Sequence, residues 1–243
     1  MSTVDNLNLK VGRVMANRFI IEEMVGRGLE GEVYRVVEKH TNKVRAIKLF
    51  YPHRNEKQKV STRIAKKLDK LSACPIVVDY IGYDILKFKN QNVACLITEF
   101  VEGEILSEFV DKHRGKRLAI FPALHLLYSL ACGLESIHHR GEYHGDLHLD
   151  NIIIKKFGLE FDLKIIDLHH WGDSKKDNRD EDIIKLIRIF YEILGGQKYY
   201  AKLPESIKQI ICGQKRSLIL KKFRTVSDLK KYLESLDWSD AVK

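Results

Sequence analysis

The run Tyr143-His144-Gly145-Asp146-Leu147-His148-Leu149-Asp150-Asn151-Ile152-Ile153-Ile154, followed by Leu163-Lys164-Ile165-Ile166-Asp167, constrains this chain more than any other part of it. Asp146 and Asn151 stand five residues apart on a polar loop between a helical pattern and an apolar strand, and Asp167 ends the next apolar strand. An acid able to take a hydroxyl proton, with an amide and a second acid able to hold Mg²⁺ through oxygen, is the set that phosphoryl transfer needs. Each residue alone would be ordinary turn or surface chemistry. All three, in this order and with these apolar flanks, imply a site.

Two earlier signals agree. Gly26-Arg27-Gly28-Leu29-Glu30-Gly31-Glu32-Val33 reads G-x-G-x-x-G-x-V. Glycine lets backbone N–H groups approach phosphate oxygens with no Cβ in the way. A dinucleotide fingerprint would open into a helix, whereas these glycines lie between two strand-like runs, as a flap over phosphates would. Val44-Arg45-Ala46-Ile47-Lys48 follows, with Lys48 seventeen residues beyond Gly31. A lysine ending an apolar strand turns inward only to meet an anion.

Composition sets the limits. The 243 residues suit one large domain or two lobes, and 44% hydrophobic with 31% charged residues is a globular balance. A formal charge of +9 permits nucleic acid, membrane headgroups or a phosphorylated ligand as partner without choosing among them. Cys74, Cys95, Cys132 and Cys212 form no C-x-x-C pair, which argues against a ribbon-type zinc site and for buried thiols. Six of the ten histidines fall between 138 and 170, at spacings that fit no common zinc site. The start carries no basic-then-apolar leader. The longest apolar stretch, 121–134, is interrupted by His125 and falls short of the roughly 20 residues of a membrane span. The expectation is a reduced, cytoplasmic protein with no membrane span.

The first hundred residues read as strands, at 18–25, 32–38, 44–50, 77–86 and 91–98, with one helix over 55–72. That helix has Val60, Ile64, Leu68 and Leu71 inside. Its outer face carries Arg54, Lys57, Lys59, Arg63, Lys66, Lys67 and Lys70, a solvated face or a docking surface for an acidic partner or RNA. Beyond Glu99-Phe100-Val101-Glu102-Gly103 the pattern turns helical, at 121–139, 182–194, 204–212 and 226–236, with short strands at 151–154 and 163–167. The chain thus divides into a small β-rich lobe, 1–101, and a larger, mainly helical lobe, 102–243, with a cleft between them as the default ligand site.

With these motifs in this order the chain resembles the protein kinase superfamily over residues 18–236. Leu96-Ile97-Thr98-Glu99-Phe100-Val101 is similar to the last strand and adenine-binding hinge, and Asp182-Ile183-Ile184-Lys185-Leu186 to the buried helix whose N-terminal Asp braces the catalytic loop. The resemblance implies an α+β, bilobal, protein-kinase-like fold that uses ATP and Mg²⁺. Gly26, Gly28 and Gly31 would cover the ATP phosphates, and Val33 and Ala46 would line the nucleotide site. Lys48 would contact the α- and β-phosphates, and the backbone of Glu99 and Val101 would meet adenine. Asp146 would be the catalytic base, His148 would stand where a lysine steadies the γ-phosphate, and Asn151 and Asp167 would hold Mg²⁺.

The departures from that pattern matter as much. Gly145 replaces the arginine that grips a phosphorylated activation segment, and H-G-D-L-H is similar to aminoglycoside and lipopolysaccharide-sugar kinases. Asp167 and Asp182 are only 15 residues apart, with no A-P-E motif between them. Ile64 or Ala65 takes the place of the helix Glu that pairs with the ATP-anchoring lysine, and the nearest acids are Glu56 and Asp69. The first expectation is an atypical serine/threonine protein kinase that needs no phosphorylation of the short segment. The alternatives are a kinase of a small-molecule, sugar or RNA hydroxyl, and a nucleotide-binding pseudokinase serving as an interaction module.

Overall fold

Along Gly31–Glu38 every second side chain is buried: Glu32, Tyr34, Val36 and Glu38 share one face, while Val33, Arg35 and Val37 stay half-exposed on the other. This period of two is the geometry of a sheet with one covered face. The computed structural model describes residues 6–157, 160–172 and 174–236. They separate into one unit of residues 6–72 and 78–101 and a second of 73–77 and 102–236.

The first unit contains β1 (Val14–Met15), β2 (Phe19–Arg27), β3 (Gly31–Glu38), β4 (Val44–Phe50), α1 (Lys59–Lys70), β5 (Tyr80–Phe88) and β6 (Gln91–Glu99). Its strands form one antiparallel sheet in the order β1-β2-β3-β4-β6-β5. Phe19, Ile21, Tyr34, Val36, Ile47, Leu49, Tyr51, Val93, Cys95 and Ile97 make the core on the covered face, together with Leu7 from the segment before β1. Helix α1 begins four residues later than its apolar pattern suggests. Lys57 and Gln58 have φ of 50° and 55°, outside the helical region. The buried Asn55 then caps the first turn from a distance, its Oδ1 accepting from Val60 N and Ser61 N at 3.1 Å each.

The second unit contains β7 (Glu104–Ile105), α2 (Leu106–Asp111), α3 (Ile120–His139), β8 (Ile152–Phe157), β9 (Glu160–Ile165), α4 (Lys175–Ile193), α5 (Gln197–Tyr200), α6 (Glu205–Ile211), α7 (Arg216–Lys222) and α8 (Val226–Glu234). β7, β8 and β9 form a small antiparallel sheet. Residues 73–77 belong to this unit because Ile165 N donates to Ile76 O at 2.7 Å and Val77 bridges Ile165 in parallel. The strand expected to start at Val77 therefore starts at Tyr80.

Helix α3 spans 20 residues, longer than the apolar run suggests, and by length and composition alone it could cross a membrane. Leu124, Leu126, Leu127, Leu130, Leu134 and Ile137 are all buried, and α4 and α8 pack against it. Burial of side chains of this kind contributes about 1.5–3 kcal/mol each, so within this unit α3 serves as the core helix.

Helix α4 begins seven residues before Asp182, where the apolar pattern first becomes visible. Its first two turns are polar, and they start at Ser174, whose Oγ accepts from Asp177 N at 3.3 Å as an N-cap. Asp182 therefore stands about two turns inside the helix rather than at its start.

Candidate functional site

In the first unit, Val33 and Lys48 are cross-strand partners in β3–β4, as are Arg35 and Ala46. Val33, Ala46 and Lys48 thus share the half-exposed face of the sheet, opposite Tyr34, Ile47 and Leu49. The glycine hairpin closes with Gly28 N donating to Gly31 O at 2.9 Å. Its glycines are not equivalent. A Cβ on Gly31 would sit 1.9 Å from the Leu49 carbonyl oxygen, so glycine there is required by the approach of β4. A Cβ on Gly28 would meet nothing within 4 Å. Gly28 is therefore the position at which a ligand can come close, while Gly31 secures the strand pairing.

Lys48 Nζ meets Glu30 Oε2 at 2.9 Å. One partner of this lysine is thus an acid inside the glycine hairpin. Ile64 and Ala65 of α1 are buried apolar positions, as their register predicts. Sequence reasoning passed over Glu30 because the x positions of a glycine motif carry no constraint of their own. Only the sheet register brings residue 30 alongside residue 48.

At the end of β6, Glu99 N donates to Asp79 O at 2.9 Å, and Glu99 O accepts from Thr98 Oγ1 at 3.1 Å. Val101 N–H and C=O make no hydrogen bond among the described residues. A half-exposed peptide group left unpaired just beyond a strand can recognise a planar heterocycle by its edge.

In the second unit, the loop carrying Asp146 is held from below by one carboxylate. Asp182 is 1% exposed. Its Oδ2 accepts from His144 N at 2.6 Å and its Oδ1 from Gly145 N at 2.9 Å, while His138 Nε2 lies 3.1 Å from Oδ2. His144 is fully buried; its Nε2–H donates to Ile166 O at 2.9 Å and its Nδ1 accepts from Asp146 N at 3.1 Å. Gly145 has φ +92°, and a Cβ there would stand 3.0 Å from both His169 O and the Tyr143 ring. The absence of arginine at this position thus comes with a backbone conformation that L side chains rarely adopt.

Asn151 links the chemical residues. Its Nδ2 donates to Asp146 O at 2.8 Å and lies 2.9 Å from His148 Nε2, while His148 Nδ1 accepts from Asp150 N at 3.3 Å. Oδ1 is left as the acceptor that a metal needs. His148 Nε2 is also 3.6 Å from Asp146 Oδ2, which brings these two residues together. Ile166 N donates to Asn151 O at 2.9 Å, tying the stretch before Asp167 to the loop. Asp167 lies two residues beyond the end of β9, exposed and with φ +56°. Aspartate tolerates this left-handed conformation better than most residues. An amide oxygen and a carboxylate are hard donors suited to Mg²⁺.

The chain after Asp167 turns back at once. His169 N donates to His144 O at 2.9 Å and Trp171 N to Tyr143 Oη at 3.0 Å, while Trp171 Nε1–H donates to Gly145 O. Sequence reasoning did not single out Trp171, and no local pattern marks it.

The protein kinase domain family matches residues 19–217. The chain is 30% identical over 156 residues to the serine/threonine-protein kinase pkn2 of Myxococcus xanthus, covering 63% of this chain and 18% of that protein. It is 28% identical over 203 residues to a probable serine/threonine-protein kinase of Dictyostelium discoideum, covering 82% of this chain and 40% of that protein. It spans less than half the length of these relatives. Among solved structures, the PknI kinase domain of Mycobacterium tuberculosis superposes with a TM-score of 0.68 at 15% identity, covering 93% of this chain and 98% of that one, a likeness of fold. The match runs through the glycine hairpin, Lys48, the Asp146–Asn151 loop and Asp167, and on that ground the chain belongs to the protein kinase family.

Proposed function

We propose that this chain transfers the γ-phosphoryl group of ATP to a serine or threonine hydroxyl of a protein, and that it does so with an activation segment too short to need phosphorylation. The observation that carries this reading is the posture of Asn151, whose Nδ2 donates to Asp146 O and lies beside His148 Nε2, leaving Oδ1 for a cation. Asp146 takes the proton of the acceptor hydroxyl as its oxygen bonds to the γ-phosphorus, and the bond to the β-phosphate oxygen breaks with its electron pair staying on ADP. Lys48 and the open side of Gly28 hold the phosphates, the Val101 peptide meets adenine, and His148 faces the γ-phosphoryl oxygens. Mg²⁺ held by Asn151 Oδ1 and the Asp167 carboxylate would neutralise the charge that builds on the phosphate oxygens.

The lysine-to-Glu30 pair supports an active enzyme over a pseudokinase, because it gives Lys48 a carboxylate partner without the usual helix acid. A second acceptor class, a small-molecule or sugar hydroxyl, is favoured by the docking of Trp171 on Gly145, which fills the place of the missing arginine. On α1, Lys59, Arg63, Lys66 and Lys70 are exposed, as are Arg54 and Lys57 before it, a surface suited to an acidic partner or RNA; Lys67, expected on that face, is buried instead. The test is incubation with γ-labelled ATP and Mg²⁺ and, separately, a generic basic protein, an aminoglycoside and RNA. Label on the protein acceptor alone supports the first reading. Label on the aminoglycoside or RNA alone moves the acceptor class, and no label in any arm favours the pseudokinase.

A further inference from the structure

Glu32 has no place in the chemistry described above, yet it is fully buried at the base of the glycine hairpin. It follows Gly31 and precedes Val33, so by strand alternation its side chain points away from the face that carries Val33 and Lys48. A lone buried carboxylate is costly unless its oxygens are satisfied. Here both are. Oε1 accepts from Leu7 N at 3.0 Å and from Tyr51 Oη at 3.2 Å, and Oε2 accepts from Asn8 N at 3.1 Å and from the Tyr34 hydroxyl. Among the described residues the one cation on it is Arg27, whose Nη2 lies 3.2 Å from Oε1.

Arg27 is the residue between the first two glycines of the hairpin and the direct cross-strand partner of Glu32. The same nitrogen donates to Asn6 Oδ1 at 3.2 Å and to Asn8 Oδ1. Leu9 N then donates to Tyr34 Oη at 3.0 Å, continuing the attachment along the chain. Residues 6–9 are thus a strap laid behind the hairpin. Its backbone is fastened to Glu32 and Tyr34, and its two asparagine side chains are fastened to Arg27.

Titration behaviour agrees with this geometry. Burial works to raise the Glu32 pKa, but the hydrogen bonds from Tyr34, Leu7 and Tyr51 and the Arg27 charge outweigh it and hold the carboxyl below its ordinary value. Burial, and next the hydrogen bond to Glu32, push Tyr34 up to about 12, so it remains a donor.

We propose that Glu32 is a positioning residue for the nucleotide-binding hairpin, acting through Arg27 and the 6–9 strap to fix the height of the Gly26–Gly28 backbone over the phosphates. This rests on the reading of that hairpin as the phosphate cover. The strap restrains a loop whose front side has to stay open, and it does so entirely from behind.

The decisive variant leaves Glu32 in place. Asn6→Ala combined with Asn8→Gly removes the two asparagine acceptors of Arg27 and leaves Glu32 on it; glycine suits residue 8, where φ is +41°. The full chain is compared with wild type by titration with a fluorescent ATP analogue and Mg²⁺, by KM and kcat with a protein acceptor, and by melting temperature. The double variant should weaken nucleotide binding about fivefold, a loss of about 1 kcal/mol, with the loss in KM and kcat held within about twofold. Glu32→Gln should weaken binding by more and also lower the melting temperature, and Glu32→Asp should recover part of the binding.

Lys48→Ala separates the two levels of the argument. If Lys48→Ala weakens binding while the asparagine variant binds as wild type, the strap has no positioning role and the proposal is wrong. If Lys48→Ala binds the analogue as wild type does, the phosphate-cover reading itself fails and takes the proposal with it. A lower melting temperature in the asparagine variant with unchanged binding also overturns the proposal, since that outcome marks the strap as structural only.

Discussion

The two units hold their functional loops in the same way and differ in what the holding group touches. In the second unit the buried Asp182 accepts directly from His144 N and Gly145 N, the peptide groups next to Asp146. In the first unit the buried Glu32 accepts from the strap and from two tyrosines, and reaches the glycine hairpin only through Arg27, whose side chain is 40% exposed. The loop carrying Asp146 is thus gripped by its backbone from within a helix, and the hairpin by one side chain from the surface. Backbone gripping suits a base that has to stay in register with its acceptor. Side-chain gripping leaves room for a flap to lift.

The largest effect that could break this comparison is chemical. Asp146→Asn should lower turnover by about 10³-fold, within the range for loss of a general base, with nucleotide affinity near wild type. A turnover within tenfold of wild type would remove Asp146 from the base role, and the backbone grip would then serve no catalytic end.

Next in size is the brace itself. Asp182→Ala takes this acceptor from the buried His144 N–H, the half-buried Gly145 N–H and His138, which should cost about 3 kcal/mol or more. For a chain of this size that is a fall of about 6–12 °C in melting temperature, together with loss of turnover. Full turnover below the melting point would show that the loop holds its shape without the brace.

A smaller change sharpens the same point. Gly145→Ala puts a Cβ at φ +92°, close to His169 O and the Tyr143 ring, at a strain of about 1–3 kcal/mol. Turnover should drop by about tenfold, equal to about 1.4 kcal/mol of barrier, with ATP affinity unchanged. An effect on affinity instead would place this residue in nucleotide binding.

Acid acts on both units in the same direction. Glu32 has its folded pKa below the unfolded value of 4.5, with Arg27, Tyr34 and Tyr51 facing it. Its contribution is therefore present above that value and lost as pH falls through the folded one. Glu38, held down by Thr41 and Arg18, and Glu135, held down by Lys230 and Ser227, act in the same direction. Melting temperature should fall below about pH 4.5, and Glu32→Gln should flatten that fall. An unchanged slope in the variant would mean that Glu32 carries none of it.

The smallest effect concerns the short segment. Ser174 caps α4, so Ser174→Ala should cost about 1 kcal/mol of stability while turnover stays within twofold. A loss beyond about tenfold in turnover, or about 1.4 kcal/mol of barrier, would make the segment a switch.

Much of this was legible in the residues. Period-two runs placed β4 at its observed bounds and β3 within one residue, because an exposed and a covered face leave alternating apolar positions. The start of α4 was not legible, since its first two turns are polar and face outward. The start of α1 was lost to two residues with positive φ. In the candidate site, Asp146, Asn151, Asp167, Lys48 and the glycines could be named because their spacing along the chain is part of the chemistry proposed for them. Glu30, Glu32 and Trp171 could not, because each acts on a residue that only folding brings near.

By itself the sequence determined which chemistry this chain can carry: an acid, an amide and a second acid in fixed order, after a glycine hairpin and a strand lysine. Those features are local, and local spacing survives in one dimension. The tertiary structure alone decided which carboxylates support those residues. Glu30 on Lys48, Glu32 on Arg27 and Asp182 under His144 are pairings across 18, 5 and 38 positions. What selects them is sheet register, strand alternation and the cost of leaving a buried charge unsatisfied.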